Sequence, residues 1–145
     1  MLGQGDRAFE YYRQILPLAR EDADRFKVEP YVYCQNICGP AHPQFGMGRN
    51  AWLTGTASWT YVAGTQWILG IRPTYDGLRI APVIPRDWPG FSARRTYRGV
   101  VFDITVKRAG KGNTVSLVVD GKPVEGNVVP LPSGKDEVTV EVALS

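Results

Sequence analysis

The sequence predicts an α+β chain, helical to about Arg72 and built of short antiparallel strands beyond it. Three observations carry that prediction. Apolar residues recur at helical spacing before Arg72-Pro73 and at a period of two after it. The stretch from Thr56 to Leu69 is apolar on every side, as a helix enclosed by other helices is. Pro82, Pro85, Pro89, Pro123, Pro130 and Pro132 suit strand edges and turns of small sheets more than a long central strand.

Composition sets the outer bounds. The chain has 145 residues, 43% hydrophobic and 21% charged, with 16 Gly and 11 Pro, which is globular rather than disordered. That length permits one domain, or two small pieces sharing a core. The net charge of +3 is spread among alternating acids and bases without a run of one sign, which argues against a nucleic-acid patch or a basic membrane arm. Cys34 and Cys38 are too close and too few for a secreted disulfide scaffold and point to a reducing compartment. Met1-Leu2-Gly3-Gln4-Gly5-Asp6 lacks the basic-then-apolar order of a secretory signal, so the mature chain is expected to start, or to have been cut, here.

The elements follow in order. Ala8, Tyr11, Tyr12, Ile15 and Leu16 form one face of a helix from Asp6 to Leu16, with Arg7, Glu10, Arg13 and Gln14 opposite. Asp6 is placed to cap it, and Pro17 to end or kink it. Glu29 to Cys38 reads as a short helix opened by Pro30 or as an irregular buried segment, stopped by Gly39-Pro40. Ala41 to Leu53 reads as an ordered loop. Thr54 or Thr56 then caps a second helix running to about Leu69, with Gly70 ending it. Ala51 to Ile71 contains no charged residue, but Thr54, Thr56, Ser58, Thr60, Thr65 and Gln66 make it a buried helix rather than a membrane span. Trp59, Tyr61 and Trp67 each contribute roughly 2 to 3 kcal/mol when buried. One partner helix and a sheet edge cannot cover them all, so the chain oligomerises or ends a larger helical domain.

Beyond Pro73, strands are expected around Leu78-Ile80, from Val100 to Lys107, Thr114 to Val119, Val124 to Val129 and Glu137 to Leu144, with Asp120-Gly121 as a tight turn. Such spacing makes an antiparallel sandwich.

Most candidate sites dissolve on inspection. Gly46-Met47-Gly48-Arg49-Asn50-Ala51 fits G-x-G-x-x-A, yet no hydrophobic strand precedes it and no βαβ unit surrounds it, so it is read as a loop. Cys34, Cys38 and His42 share helical spacing, but Gly39 and Pro40 interrupt them and a fourth ligand is absent; they read as buried thiols, with no metal site expected. Glu29 is the acid adjoining a buried segment in the helical half, and no acid/base pair or nucleophile triad is complete. Thr54-Gly55-Thr56-Ala57-Ser58 is the informative stretch. Helix-start amides, a glycine that lets an anion approach and flanking hydroxyls suit a phosphate, while simple capping by Thr54 or Thr56 is the alternative.

Three blocks carry a resemblance: Glu29-Pro30-Tyr31-Val32-Tyr33-Cys34-Gln35, Trp52-Leu53-Thr54-Gly55-Thr56-Ala57-Ser58-Trp59, and Gln66-Trp67-Ile68-Leu69-Gly70-Ile71-Arg72-Pro73-Thr74-Tyr75-Asp76-Gly77-Leu78. The chain resembles the C-terminal part of the inverting disaccharide phosphorylases of glycoside hydrolase family 94, which includes the phosphorylase-like end of cyclic β-1,2-glucan synthases. The resemblance implies that residues 1–72 are the last helices of an (α/α)6 barrel and 73–145 a small antiparallel β-sandwich domain. It implies that Thr54 and Gly55 bind inorganic phosphate, that Gln35 contacts the sugar where the glycosidic bond breaks, and that phosphate is a co-substrate with no further cofactor. In that family an Asp protonates the leaving sugar. Its motif has no match here, nor does the family's phosphate-binding His, so His42 is not given that role and the chain alone is expected to be inactive. A homodimer and a cytoplasmic location are implied as well. The competing expectation is a non-catalytic module whose β-half binds glycan or another subunit through aromatics such as Tyr97 or Trp88.

Overall fold

The computed structural model describes residues 3–145; Met1 and Leu2, which open the segment read against a secretory signal, lie outside the described residues. The chain is α+β and divides into two compact units, one of residues 8–64 and one of the residues up to Arg7 together with Thr65–Ser145.

In the larger unit, alternation of side chains builds the core. Strand β3 (Ile71–Pro73), β4 (Gly77–Ile80) and β9 (Val128–Pro130) form a three-stranded sheet. A second sheet has five strands in the order β5 (Gly90–Tyr97), β6 (Val100–Arg108), β10 (Glu137–Leu144), β7 (Val115–Val119), β8 (Lys122–Val124). Val100, Phe102, Ile104 and Val106 of β6 and Val138, Val140, Val142 and Leu144 of β10 are all buried, the apolar half of a period-two pattern. Leu117, Leu78, Ile80, Ile84 and Val129, with Ile68 and Ile71, are buried in the same unit. Asp120 and Gly121 both take positive φ, 48° and 76°, the two-residue turn that joins twisted strands.

Two expectations are corrected here, and one strand is added. The five-stranded sheet is mixed rather than antiparallel, because β10 pairs in parallel with β6 and antiparallel with β7. A parallel pair needs a long crossover, and the chain that forms β7, β8 and β9 supplies it. Val124 to Val129 is not one strand: Gly126, at φ 78°, turns the chain out of the five-stranded sheet and into the three-stranded one. Strand β5 was not foreseen, because its inward positions are Phe91, Ala93, Arg95 and Tyr97, all half-buried, and the arginine breaks the apolar alternation.

Two polar ties fix the ends of this unit. The Arg108 guanidinium donates to five backbone carbonyls, those of Ile84, Pro85, Trp88, Gly110 and Gly112, at 3.1 to 3.3 Å. Asp6, expected to cap its own helix, instead accepts the Arg86 amide at 2.7 Å. Gly70 has φ 68°, and a Cβ there would collide with the Ala81 carbonyl, so the chain turns from helix to sheet at a position only glycine fits.

The smaller unit holds most of helix α1 (Gly5–Ile15), a 3-10 turn (Pro17–Ala19), helix α2 (Ala23–Phe26), the two-residue strands β1 (Asn36–Ile37) and β2 (Gly48–Arg49), and helix α3 (Thr56–Val62). Glu29 to Cys38 is thus irregular rather than helical, apart from the β1 residues. Helix α3 does not continue as α to Leu69; it widens into a π-helical segment over Ala63–Ile68. A Cβ on Gly64 would stand 2.8 Å from the Tyr12 hydroxyl, so the Tyr12 ring end packs closely against this glycine. Burial raises the Tyr12 pKa, with a smaller push from Tyr33.

Phe26, Val32, Cys38 and Thr60 are buried in this unit, whereas Tyr11, Ile15, Leu18, Trp52, Leu53, Trp59 and Tyr61 are exposed, Trp59 by 76%. The all-round apolar stretch is therefore covered in part: Thr60 and Ile68 are buried, while its large aromatics Trp59, Tyr61 and Trp67 stay exposed. No helix among the described residues is long and apolar enough to cross a membrane.

Candidate functional site

The three candidate site residues, Gln35, Thr54 and Gly55, all lie in the smaller unit. Among the described residues no hydrogen bond joins Gln35 to Thr54 or Gly55; each belongs to its own cluster.

The Thr54 cluster stands at the start of helix α3. Thr54 Oγ1 accepts the Thr56 amide at 3.1 Å and lies 2.7 Å from Thr56 Oγ1. Neither threonine is the N-cap, which is Gly55 without a side-chain cap bond; Thr54, one residue earlier, holds the Thr56 amide, and that contact does not exhaust its hydroxyl. If Thr56 donates to Thr54, the Thr54 hydrogen is left over; if Thr54 donates, the Thr56 hydrogen is. In either polarity one hydroxyl hydrogen of this half-buried pair remains for an outside acceptor. The first backbone bond of the helix is donated by Trp59 to the Gly55 carbonyl at 3.1 Å, so the amides of Ala57 and Ser58 precede it and lie in the electropositive first turn.

Gly55 has φ −77° and ψ −1°, a conformation open to any residue. A Cβ there would meet nothing closer than Trp59 Cδ1 at 3.7 Å. Neither backbone strain nor packing in this chain demands glycine at position 55. Its absent side chain leaves the backbone open to a ligand.

Gln35 is exposed, and its amide donates to the Arg49 carbonyl at 3.1 Å, extending the β1–β2 pairing by one step. Its side-chain Oε1 accepts Asn50 Nδ2 at 3.0 Å. Asn50 was not singled out by sequence; its pairing with a residue fifteen positions earlier follows from the β1–β2 register, which two-residue strands do not announce. Nearby, Trp52 Nε1 donates to Glu29 Oε1 at 3.5 Å, and the Trp52 ring meets Tyr31 edge-on at 6.3 Å.

The remaining motifs have structural places. Cys38 is buried and Cys34 half-buried, and His42 Nδ1 accepts the Gln44 amide at 3.0 Å. No group of three or more His, Cys, Asp or Glu among the described residues could hold a metal ion. Gly46 takes φ 86° against the Arg25 side chain and Gly48 sits in β2, so the G-x-G-x-x-A stretch is hairpin rather than a phosphate loop before a helix. In the larger unit, Tyr97 is half-buried with its hydroxyl donating to the Thr74 carbonyl at 2.8 Å, and Trp88 is half-buried too. Neither is the exposed platform that a glycan-binding module needs. A depression of about 510 Å3 between Ala81, Asn113 and Pro123 has no aromatic wall.

Comparison with known proteins adds the following. Residues 1–70 match the glycosyl hydrolase 94 superfamily catalytic domain, and residues 71–128 match the glycosyl hydrolase family 65 C-terminal domain. The chain is 39% identical, over 97% of its length, to 18% of an N,N'-diacetylchitobiose phosphorylase of Vibrio proteolyticus. It is 40% identical, again over 97% of its length, to 19% of a solabiose phosphorylase of Paenibacillus borealis. Over 74% of its length it is 39% identical to 4% of the cyclic beta-(1,2)-glucan synthase NdvB of Rhizobium meliloti. The chain thus spans less than a fifth of the length of the curated relatives it matches.

Proposed function

We propose that this chain, with its matches to the glycosyl hydrolase 94 catalytic domain and the glycosyl hydrolase family 65 C-terminal domain, acts as the C-terminal part of an inverting glycoside phosphorylase. The full-length enzyme cleaves a β-linked disaccharide or oligosaccharide with inorganic phosphate and releases a sugar 1-phosphate. Residues 1–72 supply the last helices of an (α/α)6 barrel and 73–145 a small β-domain. The exposed Trp59, Tyr11 and Leu18 support the barrel reading, since they give further barrel helices an apolar surface to close upon.

The chemistry needs few groups from this segment. A phosphate oxygen attacks the anomeric carbon on the face opposite the leaving sugar, so the configuration inverts. The nucleophile enters already ionised, and one carboxylic acid, outside this chain, suffices to protonate the leaving oxygen. Thr54 and Gly55 hold the phosphate, Gln35 holds the sugar, and phosphate is the co-substrate without a further cofactor. A homodimeric, cytoplasmic enzyme goes with this assignment.

The observation that carries it is the Thr54–Thr56 hydroxyl pair, which keeps one hydrogen free beside a glycine that nothing else in the chain requires. A hydroxyl donor held in place before the ligand arrives gives the already ionised phosphate a charge-assisted hydrogen bond, which acts on binding. In the full-length protein, Thr54→Val is expected to raise the KM for phosphate by about tenfold or more and to change the KM for disaccharide by less than about twofold. Equal effects on both substrates would contradict a direct phosphate contact.

A further inference from the structure

We propose that Asn50 is a positioning residue for Gln35 and that it commits the Gln35 side chain to donate hydrogen bonds to the sugar; this rests on the assignment of Gln35 to the cleaved sugar's subsite. The β1–β2 pairing sets Asn36 opposite Arg49 and Ile37 opposite Gly48, and the Gln35 amide continues it to the Arg49 carbonyl at 3.1 Å. The next residue, Asn50, leaves the strand in the left-handed region at φ 52°. Asparagine is among the few side-chain-bearing residues that enter that region readily. From there its Nδ2 reaches Gln35 Oε1 at 3.0 Å.

A carboxamide has two ends of opposite character. With its oxygen held by Asn50, Gln35 turns its NH2 group outward and meets a ligand as a double donor. The acceptors it fits are sugar hydroxyl, ring or glycosidic oxygens. An exposed glutamine without this tie would lose rotational freedom when substrate binds, and Asn50 removes part of that loss beforehand. Backbone and side chain of Asn50 therefore serve one end: the left-handed turn aims the amide, and the amide fixes its neighbour.

The test is a set of variants in the full-length protein, with KM measured separately for disaccharide and for phosphate. Asn50→Gly keeps the left-handed backbone open while deleting the donor. Asn50→Asp keeps size and turn preference but sets an acceptor against Gln35 Oε1, so the Gln35 carboxamide turns over and presents its oxygen. Asn50→Gly is expected to raise the KM for disaccharide about threefold to tenfold, and Asn50→Asp at least as much, with the KM for phosphate within about twofold. In a Gln35→Ala background, Asn50→Gly is expected to add nothing, because the two residues act as one unit. If Gln35→Ala raises the disaccharide KM but the Asn50 effect is absent, adds independently or falls equally on phosphate, the positioning role is wrong. If Gln35→Ala itself leaves the disaccharide KM unchanged, the assignment of Gln35 fails and the role of Asn50 with it.

Discussion

The two units of this chain use apolar residues in opposite ways. In the larger unit the alternating residues of β6 and β10 find partners within the same unit, and Phe102, Leu78, Ile80 and Val140 are fully enclosed. In the smaller unit side chains of similar size stand in solvent: Leu18 is 81% exposed, Trp59 76% and Leu53 75%. Hydrophobic pattern alone does not distinguish the two cases. A strand that alternates carries its own instruction about which face to bury, whereas a helix apolar on all sides asks for neighbours that the chain has to find elsewhere.

That contrast can be broken by truncating one large side chain in each unit. Phe102→Ala is expected to cost about 3 to 5 kcal/mol, read as a fall in denaturation midpoint, because it empties a closed core. Trp59→Ala in the same isolated chain is expected to stay within about 0.5 kcal/mol, since an exposed side chain loses little contact. Equal costs would show that Trp59 is covered in solution and that the smaller unit closes on itself or on another copy.

Arg108 sharpens the picture of the larger unit. Its charge is neutralised by carbonyl dipoles rather than by an acid, and those carbonyls belong to two separate loops. Arg108→Met keeps most of the stem but removes the donors, and a loss of roughly 2 kcal/mol is expected by chemical denaturation. A neutral outcome would mean that the 84–88 and 110–112 segments hold their places without it.

The smallest effect concerns Asp120, whose carboxyl is held below its ordinary range by its hydrogen bond to Lys135 at 2.6 Å and by the Thr139 amide at 2.9 Å. A depressed folded pKa contributes stability above the unfolded value and loses it as pH falls through the folded one. Asp120→Asn is therefore expected to destabilise slightly at neutral pH, with the difference from the parent chain shrinking below about pH 4. A difference that persists unchanged at pH 2 would assign the effect to the turn's backbone rather than to charge.

What could be read from the sequence follows the same division. The faces of β6 and β10, the Asp120-Gly121 turn, the N-terminal helix ended by Pro17 and the helix start at Thr56 are all written in local pattern. The direction of the β6–β10 pair is not, because alternation looks the same in parallel and antiparallel strands. Strand β5 was hidden by Arg95 at an inward position, and the break between β8 and β9 by a single glycine within an apolar run. At the candidate site, local pattern marks a helix start at Thr54-Gly55-Thr56 and leaves anion binding and plain capping both open. Gln35 was legible only through its resemblance to a family, and Asn50 not at all, since its partner is fixed by a register that two-residue strands leave unmarked.

The central claim is that this chain holds phosphate and sugar but does not contain the acid that expels the leaving group. Incubating the purified chain with phosphate and either N,N'-diacetylchitobiose or cellobiose, and measuring sugar 1-phosphate, tests it directly. No product is expected from the chain alone, while the full-length protein that carries it forms a sugar 1-phosphate of inverted configuration from its own disaccharide. Turnover by the isolated chain would contradict the claim.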